Sequence, residues 1–98
     1  MNIPVRIKIG KAKYKTRVVR SLDCKRGEIN FLEKHITIAT HSKSGIKYSV
    51  ENRSDTLVHE LVHGILKEMG HGQFADEKFV GEFSKQLSSV LRQCGAVV

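Results

Sequence analysis

The chain has 98 residues, of which 40% are hydrophobic and 28% are charged. These proportions are ordinary for a globular protein, and the length predicts a single domain over residues 1–98. No apolar run approaches the roughly 20 residues that a membrane-spanning helix needs, so we expect no membrane partner. The basic residues near the N-terminus alternate with apolar ones and do not form the pattern of a signal peptide. This predicts a cytoplasmic location. Cys24 and Cys94 show no CxxC spacing, which predicts two reduced thiols.

The formal net charge is +7 at pH 7. Clustered lysines and arginines would suit a polyanionic partner. In the first quarter of the chain, however, the basic residues alternate with apolar ones, as on the solvated face of a strand, and no nucleic-acid motif accompanies them. Nucleic acid is therefore a possible partner that the sequence does not favour. The residues concerned are Lys8, Lys11, Lys13, Lys15, Arg17, Arg20, Lys25 and Arg26.

The first forty residues show the period-2 alternation of half-buried strands. One run predicts a strand over about residues 3–9, and Gly10-Lys11 offers a turn after it. Tyr14, Thr16 and Val18 continue the alternation on a second strand. The stretch "EINFLEKHITIAT" predicts a third strand, or a hairpin ending in a strand at about 35–40. Residues 41–48 are polar and predict a loop.

From Val50 the apolar residues recur at three- and four-residue steps, which predicts a helix. Its apolar stripe is Leu57, Val58, Leu61, Val62, Ile65, Leu66 and Met69. Ser49 or Asn52 is suited to cap the start, and Gly70 is placed to end it. A second helix follows, starting near Ala75 or Asp76 and ending before Gly95. Its stripe, which we expect to face the core, is Phe79, Val80, Phe83, Leu87, Val90 and Leu91.

The stretch "TLVHELVHGILKEMGH" places His59 and His63 four residues apart, on one face of the first helix. Two imidazoles in this arrangement can bind one zinc ion, and Glu60 beside them can take a proton from a water that zinc activates. Chance histidines on an amphipathic helix are the alternative. The flanking apolar stripe argues against it, because it places both histidines at the border of buried surface. Gly64 is expected to leave room beside the metal.

A metal site on His59 and His63 needs a third protein ligand. The candidates are His71, Asp76, Glu77 and Glu82. Glu77 projects to the edge of the second apolar stripe, Asp76 is suited to cap the helix, and Glu82 points largely away from the stripe. His71 follows Gly70 in the turn between the helices. We predict Glu77 as the ligand, with His71 and then Asp76 as alternatives. His35 and His41 are expected to be exposed, and His41 or Tyr48 could donate to an oxyanion.

Three predicted strands are followed by "TLVHELVHGILKEMG" and then by "DEKFVGEFSKQLSSVL". This order resembles that of the zincin metallopeptidases. Within them it is most similar to minimal gluzincins, among the small metallopeptidases that phages and prophages encode. It is distantly similar to the metallopeptidases that cleave phage repressors. The resemblance covers nearly the whole chain, but only the H-E-x-x-H part is highly specific. It implies a zincin-like α+β fold with a three- or four-stranded, mainly antiparallel sheet packed against the two helices.

The resemblance also implies a function. Zn²⁺ would be held by His59, His63 and Glu77, and Glu60 would be the catalytic base in the hydrolysis of a specific protein or peptide. An extended peptide would add to an edge strand, here about Ile36 to Thr40. Related gluzincins often carry an Asn or Asp that supports the site at the position where this sequence has Gly81. The alternative function is a non-catalytic, zinc-stabilised module whose basic strand face binds nucleic acid or an acidic protein.

Overall fold

The computed structural model describes residues 3–95 and contains four strands followed by two helices. In chain order the elements are β1 (Arg6–Ile9), β2 (Ala12–Val19), β3 (Gly27–Asn30), β4 (His35–Ala39), α1 (Val50–Glu68) and α2 (Glu77–Gln93). The α+β class and the order of strands before helices are as predicted. The first strand begins at Arg6 and is therefore shorter than predicted. The predicted hairpin consists of β3 and β4.

The sheet is mixed, which corrects the expectation of a mainly antiparallel sheet. Its strand order is β1-β2-β4-β3. β1 is antiparallel to β2 and β3 is antiparallel to β4, but the central strands β2 and β4 run parallel. The chain leaves β2, forms β3 at the edge of the sheet, and returns between the two. Period-2 alternation identifies a strand but not its neighbours, so the sequence did not specify this order.

β4 is an interior strand, and the expectation that Ile36 to Thr40 forms a peptide-binding edge is wrong. β2 pairs with one side of β4 and β3 with the other, so the backbone groups of β4 are used within the sheet. Ile36 and Ile38 are fully buried, as is typical of a central strand. In the part of the chain that the structure describes, the two edges of the sheet belong to β1 and β3.

One side of α1 packs on the sheet through an apolar core. The core consists of Ile9, Tyr14, Ile36, Ile38 and Leu57. Gly64 lies where the helix approaches the sheet, since a Cβ atom there would lie 2.9 Å from Ile9 Cδ1 and 3.2 Å from Ile29 Cδ1. The expectation that Gly64 leaves room beside a metal is therefore wrong. This glycine allows close packing of α1 on the sheet.

A polar contact joins the end of α1 to the same core. The buried Tyr14 hydroxyl donates to Glu68 Oε2 at 2.7 Å, and Lys34 Nζ lies 2.8 Å from the same oxygen. Burial and the Glu68 carboxylate raise the pKa of Tyr14, while Lys34 and Tyr14 lower the pKa of Glu68. The tyrosine therefore keeps its proton and the glutamate its charge. The Tyr14–Glu68 hydrogen bond therefore joins the end of α1 to β2 in addition to the apolar packing.

The helix ends follow the predicted capping residues. The Ser49 side chain accepts a hydrogen bond from the Asn52 N–H at the start of α1, and Asp76 accepts one from the Phe79 N–H at the start of α2. Gly70 follows α1 with a φ of 71°, a conformation that glycine adopts without strain. Since the Asp76 carboxylate is used as a cap, α2 begins at Glu77.

α2 packs mainly against α1, and the face that it buries differs from the predicted one. Its buried residues are Val80, Ser84 and Ser88, whereas Phe83 is 50% and Val90 51% exposed. The expectation that Phe83 and Val90 face the core is therefore wrong. The prediction assumed that the largest apolar residues of α2 face the core. In the structure the buried face includes two small serines, which allow the two helices to approach closely.

Cys24 and Cys94 are both free and exposed. Within residues 3–95, neither helix has the length and apolar character that crossing a bilayer requires.

Candidate metal centre

Three side chains from the two helices converge on one point. His59 and His63 project from α1, and Glu77 is the first residue of α2. His59 Nε2 lies 3.1 Å from Glu77 Oε2, and His63 Nε2 lies 2.9 Å from Glu77 Oε1. The two Nε2 atoms are 3.2 Å apart. These residues form a group that could hold a metal ion, and it is the set of ligands predicted from the sequence.

The proton on His63 can be assigned from its hydrogen bonds. His63 Nδ1 lies 2.6 Å from the carbonyl oxygen of Phe74, which can only accept, so Nδ1 carries a hydrogen. In the neutral ring Nε2 then presents a lone pair, and this lone pair faces the Glu77 carboxylate and His59. His63 is buried, so water cannot readily separate these electron-rich atoms. A cation at this point would turn their repulsion into attraction.

His59 is oriented by a residue that the sequence reasoning did not single out. Its Nδ1 lies 3.3 Å from the hydroxyl of Ser84, which donates to the Gly81 carbonyl oxygen at 3.3 Å. The serine lone pair can then accept from Nδ1–H, which leaves Nε2 free to face Glu77. Partners of this kind hold metal-binding histidines in the correct tautomer and orientation.

The spacing of the three ligands fits a tetrahedral site. With metal–ligand bonds of about 2.0–2.1 Å, neighbouring ligand atoms of a tetrahedron lie about 3.4 Å apart. The two Nε2 atoms are 3.2 Å apart, and each lies slightly closer to one of the two Glu77 oxygens, His59 Nε2 at 3.1 Å from Oε2 and His63 Nε2 at 2.9 Å from Oε1. Two imidazoles and one carboxylate leave one position open, which is the donor set of a catalytic site more than of a closed structural site. The three side chains therefore fit a metal ion that forms bonds of about 2.0–2.1 Å to its ligands.

Glu60 lies beside the cluster and is buried, with 7% of its surface exposed. Burial raises the pKa of its carboxyl group to about 7, and the negative charges of Glu77 and Glu28 act in the same direction while His63 opposes them. Glu60 follows His59 directly and is not one of the three converging ligands. A carboxyl group with a pKa near neutrality can both accept and return a proton at physiological pH.

The cluster and Glu60 line a cleft of about 1170 Å³ between the two helices and β3. The Ala39 N–H donates to the Arg26 carbonyl oxygen at 2.8 Å, across the pairing of β3 with β4. Because hydrogen-bonded and free backbone positions alternate in an antiparallel pair, the backbone groups of Gly27 and Ile29 face away from β4. Both residues line the cleft. One wall of the cleft is therefore an edge of β3 that pairs with no other strand within residues 3–95.

The other candidate ligands lie outside the cluster. The ring of the exposed His71 stacks on Phe79 with centroids 6.2 Å apart, and Asp76 is occupied as the cap of α2. Glu82 is exposed and is not one of the converging ligands. In this conformation the converging group found within residues 3–95 therefore contains Glu77 and neither His71 nor Asp76.

The histidines outside the motif, and Tyr48, do not contribute to the cleft. His35 and His41 are half-buried and not exposed as expected. His41 Nδ1 lies 2.7 Å from the Thr40 hydroxyl, and the Arg26 guanidinium lies over the Tyr48 ring. Neither His41 nor Tyr48 is placed to stabilise an oxyanion there.

Two contributors to the site were missed from the sequence. Ser84 follows Glu77 by seven residues, a spacing that places both on one side of a helix, so this position could have been found. Phe74 contributes only its carbonyl oxygen, and no side-chain pattern reveals the direction of a backbone group in a turn. Gly81 lies beside the site as well, since a Cβ atom there would lie 4.0 Å from His59 Cε1.

Comparison of the chain with family models, with curated proteins and with solved structures gives no match. These comparisons therefore identify no family for the chain, and the expected resemblance to gluzincins depends on the sequence motifs alone.

Proposed function

We propose that this chain is a zinc-dependent metallopeptidase of the minimal gluzincin type. The observation that carries the proposal is the position of a buried carboxyl group, Glu60, beside three converging ligands in an open cleft. A site that only stabilises the fold has no need of a second acidic group with a pKa near 7 beside its ligands.

Zinc is the proposed metal because two imidazole nitrogens and a carboxylate oxygen at tetrahedral spacing suit it. A zinc ion there would supply Lewis acidity towards a carbonyl oxygen and would lower the pKa of water. His59, His63 and Glu77 would hold it. Ser84 and the Phe74 carbonyl would keep the two imidazoles in the required tautomer.

Glu60 is the proposed general base. Its carboxylate would accept the proton of the attacking water and then, as the carboxylic acid, donate it to the leaving amine. Burial raises the pKa of this carboxyl group to about 7 in the metal-free protein, and a bound cation would lower it and favour the carboxylate that the first transfer needs. Burial keeps bulk water away from this group and makes its interaction with nearby charges stronger.

An extended peptide is the proposed substrate, and β3 is the proposed docking edge in place of β4. The backbone N–H and C=O groups of Gly27 and Ile29 face the cleft and are free to pair with an added strand. A peptide held along β3 would pass beside the cluster, because both line the same cleft.

Proteolysis of a proteome-derived peptide library tests the proposal, with new termini identified by mass spectrometry. The zinc-loaded wild type and a Glu82→Gln control are expected to produce the same new termini. Glu60→Gln should bind zinc equally well and produce none, because an amide cannot accept the proton. Products from Glu60→Gln at the wild-type level would contradict the assigned base.

The alternative function is a zinc-stabilised binding module without catalysis. It is favoured if the wild type binds one zinc ion per chain, as native mass spectrometry can show, but cleaves no peptide of the library. In that case Glu60→Gln would leave every property of the module unchanged except its stability.

A further inference from the structure

The whole formal net charge of the chain comes from its first 22 residues. This segment has seven lysines and arginines and no aspartate or glutamate, whereas the remaining residues have ten basic and ten acidic side chains. In the structure the segment includes the hairpin β1–β2, at one side of the sheet. The excess positive charge of the first 22 residues is therefore concentrated at one side of the folded sheet.

The strand register places five of these cations on one face of the sheet. Lys8 lies opposite Lys13, and Arg6 lies opposite Lys15. Arg17 continues the row along β2, opposite Thr37. Alternate residues such as Tyr14 and Ile9 point to the other face and are buried. We call Arg6, Lys8, Lys13, Lys15 and Arg17 the basic face. It lies on the side of the sheet away from α1 and the cleft.

The basic face contains repulsive contacts that a purely solvated surface would avoid. Like charges directly opposite each other in an antiparallel pair destabilise it, and two such pairs occur side by side here. All five side chains belong to exposed residues. Within residues 3–95, none of the five forms an ion pair with a carboxylate, although pairs such as Lys25–Glu28 and Lys43–Asp23 form elsewhere.

We infer that the basic face binds the phosphate backbone of double-stranded nucleic acid. Lysine and arginine side chains that neutralise phosphates release condensed counterions, which compensates the repulsion among them. Successive residues on one face of a strand are about 7 Å apart, so the row on β2 is about 14 Å long. The face therefore presents an extended row of cations and not a pocket for one small anion.

The absence of aromatic side chains from the face favours a duplex over a single strand. Proteins that bind single strands stack the bases on aromatic rings. The chain has two tyrosines and four phenylalanines. Tyr14 is buried on the α1 side, and Phe31 and Phe74 pack on each other near the cleft. Without stacking or base contacts, binding is expected to be independent of sequence.

The inference is independent of the proposed peptidase function, because it uses a different face and different residues. Fluorescence anisotropy with a labelled DNA duplex of about 20 base pairs, at salt concentrations between about 50 and 200 mM, tests it. If all five cations contact phosphates, log K is expected to fall with log salt with a slope of about −4.5.

Lys8→Gln/Lys13→Gln is expected to reduce the magnitude of the slope by about two and to weaken binding at low salt. The matched control is Lys47→Gln/Lys78→Gln, which removes the same charge from exposed positions outside the basic face. The control should keep the wild-type slope. Both variants are expected to melt cooperatively, and the first should be at least as stable as the wild type because it loses a repulsive pair.

Three outcomes would overturn the inference. The first is no duplex binding at about 50 mM salt. The second is an equal change of slope in the two double variants, which would mean that net charge and not the face is responsible. The third is binding of a polyglutamate peptide without binding of the duplex, which would assign the face to an acidic protein.

Discussion

The two packed sides of α1 differ in what joins them to the rest of the molecule. On the sheet side, large apolar residues such as Leu57 and Ile36 interlock and Tyr14 bonds to Glu68. On the α2 side, the buried apolar cluster described within residues 3–95 is smaller and consists of Val58, Val62 and Val80, with Leu66, Phe79 and Leu87 packed against it. Beside it lie buried serines and the His59–His63–Glu77 cluster.

This difference indicates which part of the fold depends on the metal. Burial of apolar area contributes about 25 cal/mol per Å², so the sheet side has the larger packing contribution. α2 is held by fewer apolar contacts and by polar ones, including Arg92 Nη2 at 2.6 Å from Asp55 Oδ1. A metal ion bound by residues of both helices would stabilise the attachment of α2 more than the sheet. The predictions below test this contrast, from the largest expected effect to the smallest.

The largest effect is expected from Glu77→Gln, which changes the one candidate ligand that α2 contributes among residues 3–95. Zinc affinity should fall by more than the 10–100-fold that loss of an outer partner costs, and hydrogen exchange in α2 should become faster. Competition with a chromophoric chelator measures the affinity. Glu82→Gln on the same helix is the control, and an equal loss of affinity in both variants would remove Glu77 from the site.

A pH-dependent effect is expected from Glu60→Gln in the metal-free protein. Burial raises the pKa of Glu60 from 4.5 to about 7, so the unfolded state loses this proton first and the wild type loses stability as pH rises between these values. The glutamine variant lacks this loss. Its stability relative to the wild type should rise by about 2–3 kcal/mol between pH 5 and pH 8.

Urea unfolding with a chelator present, at both pH values, measures this effect. The chelator matters because a bound cation would favour the carboxylate. Glu82→Gln, at an exposed position on α2, is the control for the loss of one carboxylate. A wild type and a Glu60→Gln protein that respond alike to pH would mean that Glu60 is not desolvated.

A smaller effect is expected from Ser84→Ala, which removes the hydroxyl that orients His59. Zinc affinity should fall by about 10–100-fold. Ser88→Ala is the matched control, because Ser88 is buried one turn further along α2 and its hydroxyl has no hydrogen-bond partner within the described residues. Absorption spectra of the cobalt-substituted proteins should change for Ser84→Ala alone. Identical spectra and affinities for the two variants would make Ser84 a packing residue only.

The smallest effect is expected from alanine substitutions at two helical glycines, Gly64 on the sheet side of α1 and Gly81 on the α2 side. Replacement by alanine in a helix gains up to about 1 kcal/mol in propensity. At Gly64 the new methyl group would meet Ile9 and Ile29 at 3.2 Å or less, whereas at Gly81 the nearest atom is 4.0 Å away. Since overpacking costs about 1–3 kcal/mol, Gly64→Ala should be less stable than Gly81→Ala by about that amount. Equal urea midpoints would show that the sheet side is not tightly packed.

Much of the site was readable from the sequence because its determinants are local. A four-residue spacing on a helix puts His59 and His63 on one face whatever surrounds them. The Ser49 and Asp76 caps depend only on residues within the next turn. Glu77 was predicted from its projection at the edge of the second apolar stripe together with a family resemblance, and the structure places it beside the two histidines.

Other features depended on contacts between segments that are distant in the sequence. The parallel pairing of β2 with β4 buried the strand predicted to be an edge and left β3 beside the cleft. The approach of α2 to α1 selected Ser84 as the partner of His59 and exposed Phe83. The sequence by itself determined the helices, their caps and the histidine pair, because hydrogen bonds and periodicity act within a few residues. Only the tertiary structure decided the neighbours of each strand and the face that α2 buries, because these follow from which packing fits the whole core.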